Sequence, residues 1–437
     1  MPRQAFFLYL NYIIARRHAM TIAFLYSSFP KWSETFLRQD LALLLEQGLP
    51  IHAISLFSGD CEPQADWPTA EVLQNKSVPS FSSAPSSSRR TAFLPQRLRA
   101  WLSLWKHRKL LDTLCERLKQ LDINHLHAEF ADLPALLAAQ AAKRLNISYS
   151  VGIHAFDVHC AKYPVDLLFD GAHFITACNH AAADALINAK PSLKSKIVVI
   201  HHGIDLQKWT FSTPANQDGP FRIVFVGRLV PKKGLDILIR ALPLLKKACM
   251  DFQLDVVGSG PLEKELKSLA NQQQVENHIH WHGVQPPESV RAILRRSSCL
   301  CAPSVTAPNG DRDGIPNTLL EAMAIGLPVI STQAGGIAEA LSNDKGWIIG
   351  LQSPIQITDT SITFAPAPAL ANDKDWNNFQ SQFLSPLQLA NTLTTLASTP
   401  FEERQRRIQN ARRLIESDFD ARKLAKQRAN LFLNGKL

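Results

Sequence analysis

The sequence is poor in cysteine, and its cysteines are not arranged as in a metal cage or a disulfide-stabilised fold. Seven cysteines are scattered over 437 residues. The number is odd, and no two of them form a Cys-x-x-Cys pair. A structural zinc site and a disulfide framework are therefore not predicted. We expect most of these cysteines to be small buried apolar side chains in a reducing compartment.

Long apolar runs are missing as well, which argues against a membrane-spanning protein. A transmembrane helix needs about 20 apolar residues, whereas the longest run, at residues 5–15, is shorter and contains an asparagine. Two arginines follow this run in place of a signal-peptide cleavage site. Residues 1–19 are therefore interpreted as an N-terminal extension or a misassigned start, and a cytoplasmic protein is expected.

Acidic residues are outnumbered by basic ones, so an anionic partner is expected. The 47 lysines and arginines exceed the 38 aspartates and glutamates, which gives a net charge of +9. Nucleotide phosphate, anionic lipid and nucleic acid would all suit this charge. No helix-turn-helix, zinc or stacking-aromatic motif accompanies it, so nucleic acid is not a predicted partner.

Two consecutive series of alternating strands and helices organise the chain. This alternation predicts an α/β fold with two doubly wound parallel sheets. The first series occupies residues 20–205 and the second 206–410, with a linker rich in proline, asparagine and glycine at 213–220. Residues 352–383 lack a clear period and are predicted to be a surface insertion. Residues 411–437 are predicted to form a C-terminal helix that returns to the first domain.

An amphipathic helix is predicted at residues 94–121. One interpretation is a helix that lies on an anionic membrane surface. The other is an ordinary helix whose apolar face packs on the core and whose basic face is solvated. The apolar face carries Leu98, Trp101, Leu102 and Trp105, and the basic residues are Arg97, Arg99, Lys106, Arg108 and Lys109.

Two polar clusters follow strands of the second series, at the strand ends where open α/β sheets bind ligands. The first is Arg228 with Lys233, after the strand FRIVFVG, and both cations suit a phosphate. The second starts at Asp313 and leads into a helix predicted over 315–325. A proline in the first turn of this helix leaves backbone N–H groups for an anion. Glu321 lies eight residues after Asp313, a little over two helical turns, so both carboxylates can share a face.

The clusters and the motifs around them resemble the family 4 glycosyltransferases, which have the GT-B fold. SETF near the amino end is similar to the branch that builds exopolysaccharides, such as the colanic-acid-type transferases. The resemblance implies two Rossmann-like domains that face each other across a cleft. It rests on VGRLVPKKG at 226–234, VGSGPLEKEL at 257–266, HWHGVQPPESV at 280–290, APSV at 302–305, DGIPNTLLEAMAIGLPVISTQAGGIAE at 313–339, FPKWSETFLRQDLALL at 29–44, HLHAEFAD at 125–132, IHAFDVH at 153–159 and HHGIDLQKW at 201–209.

The resemblance also implies roles for individual residues. Arg228 and Lys233 would bind the donor diphosphate, and Glu321 would hold the ribose hydroxyls. Asp313 would touch the donor sugar, and His154 would lie beside the reacting sugar. Backbone groups at the start of the second cluster's helix would meet sugar hydroxyls and phosphate, and a loop of the first domain would face the diphosphate. The residues implied at these two places are Gly314, Ile315, Pro316, Asn317, Thr318 and Leu319, and Ser33, Glu34 and Thr35, with Asp157 near His154.

Two positions depart from the family pattern. Asp313 stands where the family has glutamate, so its carboxylate reaches about 1.5 Å less far. Glu129, on the acceptor side, stands where related sequences often have histidine. The histidine pairs at 201–202 and 280–282 have no obvious third ligand at metal-site spacing, so no metal is expected at either pair.

By this resemblance the protein is expected to be an enzyme, a hexosyltransferase that retains the anomeric configuration and needs no metal cofactor. Its donor would be a UDP- or GDP-hexose. Its acceptor would be a lipid-linked oligosaccharide at the inner face of the cytoplasmic membrane, in exopolysaccharide synthesis. Two alternatives remain open. One is a GT-B relative that hydrolyses or epimerises a sugar nucleotide, and the other is a binding subunit without turnover, for which Asp313 and Glu129 are the only support.

Overall fold

Two parallel β-sheets organise the part of the chain that the computed structural model describes. The described residues are 20–31, 34–61, 67–77, 94–212, 219–307, 309–349, 356–358, 361–363 and 385–434. The first sheet has seven strands in the order β3-β2-β1-β4-β5-β6-β7, and the second has six in the order β10-β9-β8-β11-β12-β13. Every neighbouring pair in both sheets is parallel. The predicted pair of doubly wound sheets is therefore confirmed.

The first domain alternates strands and helices along the chain. Its first strand is buried at all but one position because helices cover both faces of the sheet. The elements are β1 (Ile22–Phe29), α1 (Thr35–Glu46), β2 (Ile51–Ser58), β3 (Glu71–Ser77), α2 (Gln96–Lys106), α3 (Arg108–Gln120), β4 (His125–Glu129), α4 (Leu133–Leu145), β5 (Ser148–Ile153), α5 (Ala155–His159), α6 (Val165–Phe169), β6 (Ile175–Ala177), α7 (His180–Ala189) and β7 (Ile197–Val199).

The second domain repeats this pattern and is followed by three helices. A short antiparallel hairpin, β14 with β15, is the only described part of the predicted insertion. The elements are β8 (Phe221–Val226), α8 (Leu235–Lys247), β9 (Phe252–Val257), α9 (Glu263–Gln272), β10 (Ile279–Gly283), α10 (Pro287–Arg295), β11 (Cys299–Ala302), α11 (Asn317–Ile325), β12 (Val329–Ser331), α12 (Ile337–Ala340), β13 (Trp347–Ile348), β14 (Gln356–Thr358), β15 (Ser361–Thr363), α13 (Pro386–Ser398), α14 (Phe401–Asp418) and α15 (Ala421–Asn434).

The strand orders fix where a ligand can bind. In the first sheet the winding direction reverses between β1 and β4, and in the second between β8 and β11. Ligands of open parallel sheets bind at the carboxyl ends of strands beside such a reversal. The loops that follow these four strands line one shared cleft.

The chain passes between the two domains twice, and the two passages are paired. The Ile204 N–H donates to Phe419 O at 2.7 Å, and the Ala421 N–H donates to Ile204 O at 3.1 Å. A Cβ on Gly203 would come within 2.4 Å of the Ala421 backbone, so only glycine allows this approach. Helix α15 then packs on α1 of the first domain. Phe432 of α15 lies in the same buried cluster as Phe24 of β1.

Three predicted helices differ from the structure. The helix predicted at 94–121 is two helices, α2 and α3, separated at His107. The C-terminal helix predicted at 411–437 is interrupted after Asp418, because residues 419–421 pair with Ile204 instead of continuing the helix. The helix predicted at 315–325 starts at 317, because Pro316 keeps an extended backbone and precedes the first turn.

The apolar face of α2 is turned to solvent. Trp101 and Trp105 are each 61% exposed, and Leu98 is 41% exposed. The helix packs inward through Ala100 and Leu104 instead. The core-facing interpretation is therefore wrong for the face that carries the two tryptophans. Within the described ranges, none of the helices is both long and apolar enough to cross a membrane.

Candidate active site

A cavity of about 750 Å³ lies where the carboxyl ends of the two sheets face each other. The structure brings nearly all the predicted site residues into its wall. Those that line it are Glu34, Thr35, His154, Arg228, Lys233, Asp313, Gly314, Ile315, Pro316, Asn317, Thr318 and Glu321.

Leu319 and Asp157 are not among the residues that line this wall. The predicted residue Ser33 lies outside the described residues. Leu319 is fully buried, and its N–H donates to Pro316 O at 3.0 Å. Its contact with a ligand stays a prediction. Asp157 lies behind His154 and accepts the His154 backbone N–H at 2.8 Å.

Asp313 lies at the centre of a buried polar cluster. Its Oδ2 accepts hydrogen bonds from Lys233 Nζ at 2.9 Å and from Ser304 Oγ at 2.7 Å. Lys232 Nζ lies 3.7 Å from its other oxygen. Burial opposes the charge, but the two lysines outweigh it and hold the pKa of Asp313 below its ordinary value. Asp313 is therefore a fixed carboxylate that also positions Lys233.

The start of α11 offers backbone donors to the cavity. Pro316, the residue before the helix, has no side chain that could cap it. The first N–H groups of a helix have no partner within the helix. Two of these groups, on Asn317 and Thr318, belong to residues that line the cavity. Together with exposed Arg228 and half-buried Lys233 they form a site for an anionic group.

Glu321 lies one turn further along α11 and has an unusual charge state. Burial raises the pKa of Glu321 to about 7, and Arg291 opposes this rise only in part. The ordinary value for a glutamate in the same scale is 4.5. Such a carboxyl group is close to half-protonated at neutral pH, so a ligand that donates hydrogen bonds to it shifts it towards the ionised form.

His154 faces the cavity from the first domain. Its ring packs between Phe36 and Phe130, with ring centroids 5.5 Å and 4.3 Å away. Its Nδ1 lies 3.5 Å from Asp157 Oδ2. Burial alone would lower the pKa of His154, but Asp157, with Glu129 and Glu34, raises it above its ordinary value.

Glu129 and His127 lie below the cavity wall and not in it. The Glu129 carboxylate is 3.4 Å from His127 Nε2, and both side chains are buried. Burial opposes the charge of Glu129, but His127 outweighs it and lowers the pKa of Glu129 to about 2. His127 also packs against Phe24 and Phe432. This pair is therefore an internal polar contact beside the site.

On one side of the cavity the two domains touch through Glu339. Its carboxylate accepts the backbone N–H groups of His180 and Ala181, both at 2.8 Å, and so caps α7 from the other domain. The ligand-type atoms of His180, His201 and Glu339 lie within 4.8 Å of one another. Spacing along the chain does not predict this group, because its three members lie on separate segments. The capping bonds explain the position of Glu339 without an ion.

Sequence reasoning missed several cleft residues. Lys232 pairs with Asp311 at 2.9 Å, and Arg312 Nη2 lies 3.0 Å from His159 Nδ1 of the first domain. His202 lines the cavity, whereas the sequence indicated it only as half of an adjacent histidine pair. A local signal existed for Lys232, which lies beside Lys233 in the same motif.

Comparisons with known proteins agree with this geometry. Residues 44–208 match the family model described as Glycosyltransferase Family 4, and residues 207–373 match the model described as Glycosyl transferases group 1. The chain is 28% identical over 355 residues to WcaL of Salmonella typhimurium, named for colanic acid biosynthesis, which covers 76% of this chain and 87% of that protein. It is 28% identical over 365 residues to the amylovoran biosynthesis glycosyltransferase AmsK of Erwinia amylovora, which covers 75% of this chain and 86% of that protein.

A solved structure supports the fold. The Anabaena protein Alr3699/HepE, crystallised in complex with UDP and glucose, superimposes with a TM-score of 0.64 at 17% identity. The match covers 95% of this chain and all of that chain. Identity this low supports the architecture alone.

Proposed function

We propose that this chain, a family 4 glycosyltransferase with the GT-B fold that resembles the colanic-acid-type enzymes, transfers a hexose from a UDP- or GDP-sugar to a lipid-linked oligosaccharide. The two family matches and the named relatives confirm the predicted enzyme class, a hexosyltransferase. The relatives also place the chain among enzymes of surface polysaccharide synthesis. The donor, the acceptor, the stereochemistry and the cellular site are the finer parts of the proposal.

The observation that carries the donor assignment is the anion site beside a half-buried carboxyl group. Arg228, Lys233 and the first N–H groups of α11 line one wall of the cavity. Glu321, one turn along the same helix, is placed for the ribose hydroxyls. A nucleoside diphosphate with an attached sugar matches this arrangement, because its diphosphate would meet the cations and N–H groups and its ribose hydroxyls would meet Glu321. The bound UDP and glucose of the similar Anabaena structure are consistent with it.

The proposed chemistry depends on stabilising charge on the leaving group. When the bond from the sugar to the diphosphate breaks, negative charge develops on the phosphate oxygens. Fixed cations and a helix N-terminus stabilise such charge without reorganising, so we propose that no metal is required. Lys233 has three N–H donors, and only one is engaged by Asp313, so the others remain for the diphosphate. The leaving phosphate oxygen then accepts the acceptor's proton in a front-face, retaining displacement.

The proposed acceptor is lipid-linked because the first domain presents a surface suited to a membrane. Trp101 and Trp105 are exposed one helical turn apart on α2. Lys106, Arg108 and Lys109 follow directly and are exposed. Aromatic side chains beside basic ones are typical of helices that lie in the headgroup region of anionic bilayers. We propose that this face holds the enzyme on the inner leaflet of the cytoplasmic membrane, where lipid-linked saccharides are extended.

A transfer assay tests the proposal. Purified protein is incubated with UDP- or GDP-hexoses and with lipid-linked saccharides in vesicles, and the anomeric configuration of the product is determined by NMR. We expect metal-independent transfer with retention, which Lys233→Ala abolishes and which Lys247→Ala, at an exposed lysine of α8 outside the cavity wall, preserves. Free sugar or an epimer formed without acceptor would show that the protein hydrolyses or epimerises the donor and does not transfer its sugar. Donor binding without any product would indicate a binding subunit.

A further inference from the structure

The side chains of His202, Asp40 and Arg428 connect His154 to the C-terminal helix α15. His154 Nε2 lies 3.1 Å from His202 Nε2, and His202 Nδ1 lies 2.9 Å from Asp40 Oδ2. Asp40 Oδ2 also accepts a hydrogen bond from Arg428 of α15. Asp40 and Arg428 are both buried, and they lie 388 residues apart in the chain.

The direction of these hydrogen bonds follows from the charge of Asp40. Burial opposes ionisation, but Arg428 and His202 outweigh it and lower the pKa of Asp40. An ionised carboxylate only accepts hydrogen bonds, so the hydrogen of His202 must be on Nδ1. Burial lowers the pKa of His202 despite Asp40, so the ring is neutral and its Nε2 has a free lone pair. His154 must therefore donate from its own Nε2.

This arrangement leaves one nitrogen of His154 to be assigned. Its Nδ1 is buried and, among the described residues, has no hydrogen-bond partner. The carboxylate of Asp157 lies beside it, with Oδ2 at 3.5 Å. A lone pair on Nδ1 would face this negative charge, whereas an N–H would be attracted to it. The surroundings therefore favour a proton on both nitrogens of His154.

We propose that Asp40 and His202 are positioning residues that hold His154 as a cation facing the cavity, and that Arg428 anchors them, so that the C-terminal helix is part of the active centre. A cation at this wall complements the negative charge that develops on the leaving diphosphate. The groups that face His154 or its partner His202 are Asp157 on α5, Glu129 at the end of β4, Glu34 before α1, Asp40 on α1 and Arg428 on α15.

The proposal rests on the proposed function for its kinetic test but not for its spectroscopic one. In the spectroscopic test, histidine-labelled protein is titrated by NMR, and the His154 signal is assigned from its loss in His154→Gln. We expect His154 to stay protonated above the range of an ordinary histidine. In Asp40→Asn the midpoint should fall by about one pH unit, because a nearby negative charge is removed and Arg428 is left uncompensated. An unchanged midpoint in a folded variant would overturn the proposal, whether or not the enzyme turns over.

The kinetic test replaces His202 by glutamine or by asparagine, whose side-chain amides occupy the positions of different ring nitrogens. The amide of glutamine reaches the position of Nε2 and can accept from His154, whereas that of asparagine reaches only the position of Nδ1. We expect His202→Gln to retain kcat within about threefold. In His202→Asn, kcat should fall about tenfold or more, and the alkaline limb of its pH profile should move to lower pH. Equal losses in both variants without a shift of that limb would contradict the proposal. His52→Asn, at an exposed histidine of β2, is the control for unrelated effects.

Arg428 is tested separately because it lies in the C-terminal helix. Arg428→Met should raise the His154 midpoint, because it leaves Asp40 as an uncompensated negative charge. Arg428→Lys should restore the midpoint, since only the lysine keeps a cation beside Asp40. A wild-type midpoint in a folded Arg428→Met protein would overturn the role of α15. If removing one partner prevents folding, the double variant Asp40→Asn with Arg428→Met leaves no charge buried alone. The proposal then predicts that the midpoint falls less in the double variant than in Asp40→Asn, because the uncompensated charge of Arg428 is removed as well.

Discussion

Replacing Glu321 by glutamine should have opposite effects on donor binding and on stability. The substitution keeps the shape of the side chain but removes its charge. In the proposed complex the ribose hydroxyls donate to the carboxylate, so the donor binds the ionised form. With a pKa of about 7 in the free protein, Glu321 is about one-tenth ionised at pH 6, half at pH 7 and nine-tenths at pH 8. The affinity of the wild-type protein for a sugar nucleotide should therefore rise about tenfold between pH 6 and pH 8.

The same pKa predicts how stability depends on pH. Glu321 holds its proton more tightly in the folded protein than in the unfolded chain, where the ordinary value of 4.5 applies. The folded state therefore binds more protons between these two pH values, and stability falls as the pH rises from about 4.5 to 7. The free-energy cost of the ionised, half-buried group above pH 7 is at most about 3 kcal/mol. Glu321→Gln removes this cost, so the variant should melt at a higher temperature at pH 8 but not at pH 4.5.

Two measurements test this pair of effects. Calorimetric titration with UDP-glucose at pH 6, 7 and 8 gives the affinity. Each phosphorus of its diphosphate has a single strongly acidic O–H, so the charge of the ligand stays constant over this range. Thermal melts at pH 4.5 and 8 give the stability change, at about 2–4 °C per kcal/mol for domains of this size. Glu276→Gln, at an exposed glutamate, is the matched control. A variant that binds donor with the wild-type pH dependence, or that is destabilised at pH 8, would refute the assigned charge state.

Further substitutions separate the roles of the other cleft residues. Lys233→Ala should weaken UDP binding about 10- to 100-fold by calorimetry, since a hydrogen bond to a charged group contributes about 1.5–3 kcal/mol; an effect no larger than that of Lys247→Ala would contradict its role. Asp313→Asn should lower the transfer rate about tenfold or more while UDP binding is kept, because Arg228 and Lys233 remain. Replacing both Trp101 and Trp105 by serine should reduce cosedimentation with phosphatidylglycerol vesicles more than tenfold, from about 2 kcal/mol of lost apolar burial. Donor affinity should not change in this variant, and unchanged vesicle binding would remove the membrane role of α2.

The donor wall could be predicted from the sequence because its parts are local. Arg228 and Lys233 follow one strand, and Asp313 and Glu321 flank one helix start. In a parallel sheet the carboxyl ends of strands share one edge, so short motifs after strands meet there without knowledge of the rest of the chain. The proline and the acidic residues of the second cluster therefore sufficed to place the helix start within two residues.

Contacts between distant segments could not be predicted in this way. Asp40 meets His202 across 162 residues and Arg428 across 388, and no periodicity or motif links these positions. The orientation of α2 was open for a related reason. Its pattern defines an apolar face, but whether that face meets the core depends on neighbours such as Tyr163, which contacts Ser103 from elsewhere in the chain.

We expect this protein to bind a sugar nucleotide at the wall formed by Arg228, Lys233 and Glu321, without a metal. The decisive measurement is calorimetric titration with UDP-, GDP-, ADP- and dTDP-sugars, with and without EDTA. One donor should bind, EDTA should leave its affinity unchanged, and Lys233→Ala should weaken it. A folded protein that binds none of these donors, or that binds one only when a divalent metal is present, would contradict this expectation.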